Sequence, residues 1–194
     1  MLLLCWAVAP LGTGDAALPN AAALTPSDAS TASASRALVR KAEREYQTRR
    51  IERADAKRRY WLRVMQRPLP PRATGLTRLA VGDLQSAADW RWQRALEVAD
   101  LARHPPHLDA WRCIQSHETR GSLAAWHTNT GNGYYGGLQF DRAFQVAYGG
   151  WLYRTKGTAE HWTPLEQMWT AERAHASGRG FTPWPNTARA CGLL

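Results

Sequence analysis

The sequence predicts an α+β fold: a small α-rich domain with one β-hairpin, preceded by a basic helical N-terminal arm. Three observations support this prediction. The net charge of +9 on 194 residues is unevenly placed, because residues 36–67 hold 12 basic and 4 acidic side chains. Of the ten Trp residues, seven lie between Trp90 and Trp169, which is typical of a compact core or a stacking cleft. Helix-capping residues and one strong turn signal divide the C-terminal part into short elements.

The N-terminal segment, residues 1–35, has the pattern of an export signal followed by a low-complexity linker. Residues 2–9 are apolar, and residues 21–23 offer an A-x-A-like cleavage site, although no basic residue precedes the apolar run. The alternative is a poorly packed terminus. No apolar run in the chain reaches the roughly 18 residues that a membrane span needs. We therefore expect a secreted protein with no transmembrane span.

Export would remove Cys5 and leave two cysteines, Cys113 and Cys191. An even count in an oxidising compartment favours a disulfide between them over two buried thiols. The bridge would close a loop of 78 residues. Chain entropy assigns about 4 kcal/mol of stabilisation to a loop of that length.

The basic arm, residues 36–67, contains no Gly or Pro and is dominated by good helix formers. A basic helix can bind nucleic acid or another anionic partner, and the alternative is a solvated face without a partner. In an exported protein we expect anionic wall polymers or a cell-wall partner enzyme, and no nucleic acid. Residues 68–107 are predicted to form a Pro-rich linker and a second helix from about residue 81 to residue 103, with an apolar stripe through Leu84, Ala88, Trp92, Leu96 and Ala99.

Residues 108–194 form the domain predicted to carry the chemistry. Asp109 predicts the N-cap of a helix that reaches Glu118, with Trp111 and Ile114 on the same face as Glu118. A carboxylic acid at the end of an apolar stripe can stay protonated near neutral pH, because desolvation disfavours the charged form. The alternative is an exposed Glu at a frayed helix end.

The next segment contains the strongest hairpin signal of the chain, Asn132-Gly133, flanked by Thr and Tyr. The adjacent pair Gly136-Gly137 would allow the backbone to approach a neighbouring group closely. A nucleotide-binding loop is excluded, since no Lys-Ser/Thr pair follows. Asp141 predicts the cap of a short helix that ends at Gly149-Gly150, and residues 163–166 predict a capping box.

The run Trp-His-Thr-Asn-Thr-Gly-Asn-Gly-Tyr-Tyr-Gly-Gly-Leu-Gln-Phe at residues 126–140 resembles a known family. Together with Trp111, Glu118, Tyr148-Gly149 and Trp184-Pro185, it looks like the transglycosylase-like domain of actinobacterial resuscitation-promoting factors, which are lysozyme-like cell-wall enzymes. The resemblance covers about residues 109–194. It implies a lysozyme-like fold and cleavage of the β-1,4 bond between N-acetylmuramic acid and N-acetylglucosamine in peptidoglycan.

The resemblance also implies roles for individual residues. Glu118 falls where the family keeps its catalytic Glu. Two features differ from the family pattern: Cys113 lies five residues before Glu118 instead of directly before it, and the stretch between Glu118 and Trp126 is longer. The residues that fall in the glycan-lining segment are Trp126, Asn129, Thr130, Tyr135 and Gln139.

The number of available carboxylates predicts the mechanism, because most glycosidases use a pair of them. In residues 108–194 the other acids are predicted to cap helices or have no matching role: Asp109, Asp141, Glu160, Glu166 and Glu172. Glu118 would then act alone as acid and base, either as a lytic transglycosylase or as a muramidase. The sequence does not choose between these two reactions.

Two other classes of function remain as alternatives. A non-catalytic peptidoglycan-binding module would keep the aromatic residues and tolerate loss of Glu118. A nucleic-acid-binding protein would depend on residues 36–67 and bind less tightly as salt rises. We expect no cofactor, and no metal, because Cys113, His117 and Glu118 complete no recognised zinc spacing.

Overall fold

A computed structural model describes residues 26–194 of the chain. The predicted signal peptide and its cleavage site, within residues 1–25, lie outside the described residues. The chain divides into two compact units, residues 1–41 and 42–194. Among the described residues, no helix is long and apolar enough to cross a membrane. The α-helices are α1 (Pro26–Val64), α2 (Val81–Ala102), α3 (Leu108–Thr119), α4 (Arg142–Lys156), α5 (Pro164–Ala174) and α6 (Pro185–Ala190).

Helix α1 covers most of the predicted helical arm, but it begins at Pro26, ten residues before the predicted start, and ends at Val64, three residues before the predicted end. The described part of the first unit is therefore helical. In the second unit, α1 and α2 pack against each other through Ile51, Leu84 and Ala88, which are all fully buried. Two ion pairs flank this contact, Arg50–Asp89 at 2.7 Å and Arg91–Asp55 at 2.8 Å.

The predicted apolar stripe of α2 is correct only in part. Leu84, Ala88 and Ala99 are buried, but Trp92 and Leu96 are 36% and 40% exposed. The buried stripe instead continues through Ala95 and Ala102. The buried stripe thus consists of Leu84 and small Ala side chains, and the large Trp92 ring lies outside it.

The α1–α2 pair is joined to the C-terminal helices by polar contacts within the second unit. Trp169 on α5 donates a hydrogen bond to the carbonyl of Ala102 at 2.8 Å. Arg173, also on α5, donates to the carbonyls of Val64 and Tyr148. Burial lowers the pKa of Arg173 to about 10. Residues 42–107 and 108–194 therefore form one compact unit.

A second buried cluster joins α4 and α5. Glu166 is fully buried and accepts a 2.6 Å hydrogen bond from Lys156, which also donates to the Tyr60 hydroxyl at 3.1 Å. Burial raises the pKa of Glu166 and lowers that of Lys156. Glu166 also completes the predicted capping box with Thr163, which is confirmed. One carboxylate thus caps α5 and fixes α4 beside it.

The C-terminal core is rich in aromatic residues, as the Trp distribution predicts. Three of its Trp side chains lie within one contact network with Phe and Tyr rings. The large buried side chains of this core are Trp111, Ile114, Trp126, Leu138, Phe140, Phe144, Leu152, Trp162, Met168 and Trp184.

The predicted β-hairpin is wrong. Among residues 26–194 the structure has no strand, and the segment around Asn132-Gly133 forms only two isolated bridges, Asn129 with Tyr135 and Tyr135 with Phe140. The Asn side chains explain the difference. Asn129 Oδ1 accepts from the Gly131 amide and Asn132 Oδ1 accepts from the Tyr134 amide, both at 3.0 Å. These local bonds use backbone donors that a strand ladder would need.

Two predicted helix limits are also corrected. Helix α3 begins at Leu108 with His107 at the N-cap position, so Asp109 lies in the first turn instead of capping the helix. Asp141 does cap α4, accepting from the Phe144 amide at 2.6 Å, but α4 continues beyond Gly149 to Lys156. It bends at Gly149, where a Cβ would lie 2.4 Å from the Trp162 ring. The backbone of Gly149 is not helical (φ −120°, ψ 19°), so the predicted break lies at the right residue, but the chain becomes helical again and continues to Lys156.

Candidate active site around Glu118

Glu118 lies one residue before the end of α3, with its side chain partly exposed. One hydrogen bond holds it: the Thr187 hydroxyl, on α6, donates to Glu118 Oε1 at 3.0 Å. Helix α6 begins with Pro185, whose fixed φ suits the first helical position. The carboxylate is therefore positioned by a neighbouring helix while part of it faces solvent.

A disulfide joins the two helices that meet at Glu118. Cys113 on α3 is bonded to Cys191 directly after α6, with Cα atoms 6.0 Å apart. The predicted pairing is confirmed, although Cys113 is not adjacent to Glu118 in sequence. The bridge limits how far α6, and Thr187 with it, can move from α3.

The loop at residues 126–140 is held by the fully buried side chain of Gln167. Its Oε1 accepts from the Gly137 amide at 2.8 Å, and its Nε2 donates to the Trp126 carbonyl at 2.7 Å. A Cβ on Gly136 would lie 2.5 Å from Gln167 Oε1, and a Cβ on Gly137 would lie 2.8 Å from the Trp126 ring. The close approach predicted for the Gly-Gly pair is confirmed.

The five residues predicted to line the glycan site differ in exposure. Asn129 and Thr130 are exposed, and Tyr135 and Gln139 are half-buried. Trp126 is 6% exposed and belongs to the core, so it offers little surface to a ligand. Its indole instead packs under the backbone of the loop that carries the other four.

Two contacts orient polar side chains of this loop. Asn129 Nδ2 donates to Glu160 Oε1 at 2.9 Å, and Glu160 also accepts from the Thr158 hydroxyl. Gln139 has a left-handed backbone, with φ of 52°, and its side chain donates to the Gly136 carbonyl at 2.8 Å. A positive φ is costly for a residue other than Gly, so the surrounding loop fixes the direction of the Gln139 side chain.

A groove of about 340 Å³ lies beside this loop. Ser177, and then Arg179, lower the pKa of the Tyr148 hydroxyl in its wall by hydrogen bonding. The groove therefore has aromatic surfaces together with polar groups, a combination that suits sugar rings and their hydroxyls. Its main lining residues are Tyr134, Gln139, Phe144, Tyr148, Arg179 and Trp184.

Glu118 is connected to this groove through its neighbours. The Trp184 indole donates to the Leu138 carbonyl at 2.7 Å, next to Gln139 in the groove wall. Thr187, which donates to Glu118, also lies 3.3 Å from the Trp184 carbonyl. Glu118 itself does not line the groove. It lies near the end of α3, and Thr187 on α6 connects it to Trp184 in the groove wall.

The other carboxylates of residues 108–194 all have structural partners. Glu172 is 7% exposed and accepts from His107 and Trp111, and Asp109 forms an exposed pair with Arg112 at 3.7 Å. Asp141, Glu160 and Glu166 are bonded as described above. Among these acids Glu118 combines partial exposure with a single hydrogen bond, whereas Asp109 is exposed with only its Arg112 ion pair and Glu160 accepts from two side chains.

One group of metal-ligating side chains lies close together in the described residues: Cys113, His117 and Cys191. The two sulfur atoms are bonded to each other, so neither is a thiolate, which is the form that binds metal ions. In this oxidation state the group has one good ligand, the exposed His117.

Three contributing residues were not predicted from the sequence. Thr187 donates to Glu118, and Glu160 accepts from Asn129. In both pairs the two residues are more than 30 positions apart in the sequence. Gln167 looks in the sequence like an ordinary polar residue of a helix. The sequence offered no clear signal for it, because α5 also buries the polar residues Glu166, Thr170 and Glu172.

The chain is similar to known proteins over its C-terminal part. The Transglycosylase-like domain family matches residues 107–187. Resuscitation-promoting factor Rpf1 of Corynebacterium glutamicum is 35% identical over 121 residues, which cover 62% of this chain and 56% of Rpf1. Resuscitation-promoting factor RpfC of Mycobacterium tuberculosis is 31% identical over 119 residues, covering 61% and 79% of the two chains.

A third relative, resuscitation-promoting factor RpfE of Mycobacterium tuberculosis, is 38% identical over 79 residues, or 41% of each chain. The match therefore spans about half of Rpf1 and less than half of RpfE, but most of RpfC. No solved structure matches. The region that the Transglycosylase-like domain family matches, residues 107–187, contains α3 with Glu118, the loop at residues 126–140 and Thr187. The chain belongs to the resuscitation-promoting factor family, with a helix-rich, lysozyme-like transglycosylase-like domain.

Proposed function

We propose that this protein acts on peptidoglycan and cleaves the β-1,4 bond between N-acetylmuramic acid and N-acetylglucosamine, with Glu118 as its single acid and base. Membership of the family supports the substrate class. The observation that carries the mechanism is the state of the carboxylates. Of the acids in residues 108–194, Glu118 is the one left partly exposed with a single hydrogen bond.

In the first step the Glu118 carboxylic acid donates its proton to the glycosidic oxygen as the bond to the muramyl C1 breaks. The sugar develops oxocarbenium character, and the N-acetyl group of the substrate stabilises it in place of a second carboxylate. The Glu118 carboxylate then accepts a proton. If the muramyl 6-hydroxyl supplies it, a 1,6-anhydro end forms; if water supplies it, a reducing end forms. In both reactions Glu118 regains the proton that it gave up.

The remaining residues serve binding and positioning in this proposal. Asn129, Thr130, Tyr135 and Gln139 contact the glycan from the loop. Trp126 supports that loop from the core, in agreement with its low exposure.

Secretion and association with the cell wall accompany this function, because peptidoglycan lies outside the cytoplasmic membrane. The disulfide supports an oxidising compartment.

The test is a digest of purified peptidoglycan by the full chain, with released fragments identified by mass spectrometry. Products ending in 1,6-anhydromuramic acid would show a lytic transglycosylase, and reducing muramic ends a muramidase. We expect Glu118→Gln to lower the rate by at least about 100-fold, because a positioned general acid contributes a factor of that size.

The matched control is Asp109→Asn, which removes a carboxylate from the same helix at an exposed position. It should leave the rate within about twofold. If the unaltered chain pellets with peptidoglycan but releases no fragment, the catalytic proposal is wrong. The protein would then be a non-catalytic peptidoglycan-binding module.

A further inference from the structure

A second pocket lies away from Glu118, where the end of α1, the linker after it and α4 meet. It encloses about 230 Å³ and is lined by Ala56, Arg59, Tyr60, Arg63, Arg72 and Trp151. Three of these six residues are arginines and two are aromatic, and the lining contains no acidic residue. All six belong to the second compact unit.

The three arginines have few partners of their own. Arg59 donates to the Pro70 carbonyl, and Arg63 lies over the Trp151 ring at 5.1 Å from its centroid. Within the described residues, none of the three has an ion-pair partner; the arginines that do are Arg49, Arg50, Arg91, Arg94, Arg103 and Arg112. Arg59 and Arg63 are also four residues apart on one helix, where like charges repel. An anion in the pocket would remove that repulsion.

The aromatic side chains are fixed in place. Tyr60 contacts Trp151 edge to face, with ring centroids 5.7 Å apart, and its hydroxyl accepts from Lys156 at 3.1 Å. A rigid aromatic surface beside guanidinium groups suits a ligand that combines a flat or ring-shaped body with an oxyanion.

The pocket continues along α1 into a wider cavity of about 400 Å³, which shares Ala56, Arg59 and Arg72 with it. The wider cavity is also lined by Glu52 and Asp55, so its charge is mixed. A polymer with closely spaced phosphates, such as nucleic acid, would meet these carboxylates. A polymer whose anions are separated by neutral sugar units would not.

We propose that this pocket, the Arg59–Arg63–Arg72 pocket, binds an oxyanion carried by a glycan polymer of the cell wall. Arg63 and Arg72 pair with the oxyanion, and Trp151 and Tyr60 contact the adjoining sugar. Pockets for whole small ligands usually exceed about 300 Å³, so the smaller pocket takes one unit of a longer chain. The choice of a wall polymer rests on the proposed function. The pocket keeps the enzyme bound to the cell wall that contains its substrate, and it takes no part in cleavage.

The test measures binding to insoluble cell-wall sacculi by co-sedimentation. Every protein carries Glu118→Gln, so that cleavage does not alter the wall during the measurement. The pocket variant adds Arg63→Gln and Arg72→Gln. The control adds Arg53→Gln and Arg78→Gln instead, two exposed arginines that line neither cavity and have the same summed charge. Arg53 and Arg63 lie on α1, where Gln and Arg have similar helix propensities, and Arg72 and Arg78 are exposed outside the α-helices, so all variants should fold.

We expect the pocket variant to bind about tenfold more weakly than the control, because it loses hydrogen bonds to a charged group. Two sacculus preparations identify the oxyanion. If removal of phosphodiesters with hydrofluoric acid erases the difference between the variants, the ligand is a phosphate polymer. If the difference persists, the ligand is a carboxylate of peptidoglycan itself.

Equal binding by the pocket variant and the control would overturn the proposal, since only overall charge would then matter. Displacement from the wall by a single-stranded oligonucleotide that binds more tightly would overturn it in favour of nucleic acid.

The two proposals can fail separately. A protein that cleaves peptidoglycan but shows no effect of Arg63 and Arg72 refutes only the pocket, and the reverse result refutes only the mechanism.

Discussion

The two carboxylates near opposite ends of α3 have different environments. Near the start of the helix, Glu172 is 7% exposed and lies within hydrogen-bond distance of three nitrogen atoms: the His107 amide at 2.7 Å, His107 Nδ1 at 2.9 Å and the Trp111 indole at 2.8 Å. Near its end, Glu118 is partly exposed and accepts from Thr187 alone.

This difference separates a structural carboxylate from one available for chemistry. A buried carboxylate is stable only when its oxygen atoms accept hydrogen bonds. The oxygen atoms of Glu172 already accept from donors of the protein itself. Glu118 keeps acceptor positions that a substrate or a proton can occupy. Exposure and partners together therefore distinguish two acids that the sequence presents as similar helical residues.

The largest expected effect concerns the disulfide, which joins the middle of α3 to the end of α6, the helix that carries Thr187. The double variant Cys113→Ala/Cys191→Ala should lower the free energy of unfolding by about 4 kcal/mol, because the lost bridge closes a long loop in the unfolded chain. Urea denaturation measures this loss. Hydrogen exchange should show α6 losing more protection than residues 107–111, which Glu172 holds without a covalent bond. If α6 and residues 107–111 lost the same amount of protection, the two ends of α3 would not differ in what holds them.

The next largest effect concerns Glu172 itself. Glu172→Gln keeps the size of the side chain but removes a charged acceptor from buried donors, so we expect a loss of about 1–3 kcal/mol in the free energy of unfolding. Glu118→Gln should change the same quantity by less than about 0.5 kcal/mol, because its carboxylate is partly solvated. Thermal or urea unfolding of the two variants gives the comparison directly. Similar losses would mean that the two carboxylates do not differ in structural role.

Local features of the fold could be predicted from the sequence. The capping box at Thr163, the Asp141 cap and the disulfide pairing are confirmed, because each depends on a short pattern or on simple counting. The family resemblance is confirmed as well, since it rests on a specific run of residues at 126–140. Patterns of this kind need no knowledge of which distant residues will meet.

The wrong predictions concern segments whose conformation depends on side chains distant in the sequence or on local hydrogen bonds that compete with the predicted element. The hairpin is absent because Asn129 and Asn132 bind nearby backbone amides. The helix breaks at Gly149 as predicted, but it resumes and continues to Lys156, which the Gly-Gly pair alone does not indicate. Thr187 lies 69 residues from Glu118, and no local pattern connects a Thr on one helix with a Glu on another. The roles of Glu118 and the glycan-lining residues stay predictions until the digest is made.

The smallest expected effect tests whether Thr187 positions Glu118. Thr187→Val replaces the hydroxyl with a methyl group of similar size, so packing is kept and one hydrogen bond to a carboxylate is lost. We expect kcat for peptidoglycan cleavage to fall about five- to tenfold, as the loss of one such bond implies. KM should hardly change, because Thr187 does not line the groove and reaches Trp184 only at its backbone carbonyl. Steady-state kinetics with a soluble glycan fragment separates the two constants.

Two further variants decide whether this effect comes from positioning. Thr187→Ser keeps the hydroxyl and should recover most of the lost kcat, whereas a residue needed only for packing would not be rescued by the smaller side chain. Thr182→Val removes an exposed hydroxyl that donates only to the Arg179 carbonyl, and it should leave kcat unchanged. If Thr187→Val raises KM and leaves kcat intact, Thr187 acts on substrate binding. The single hydrogen bond to Glu118 would then have no part in orienting the acid.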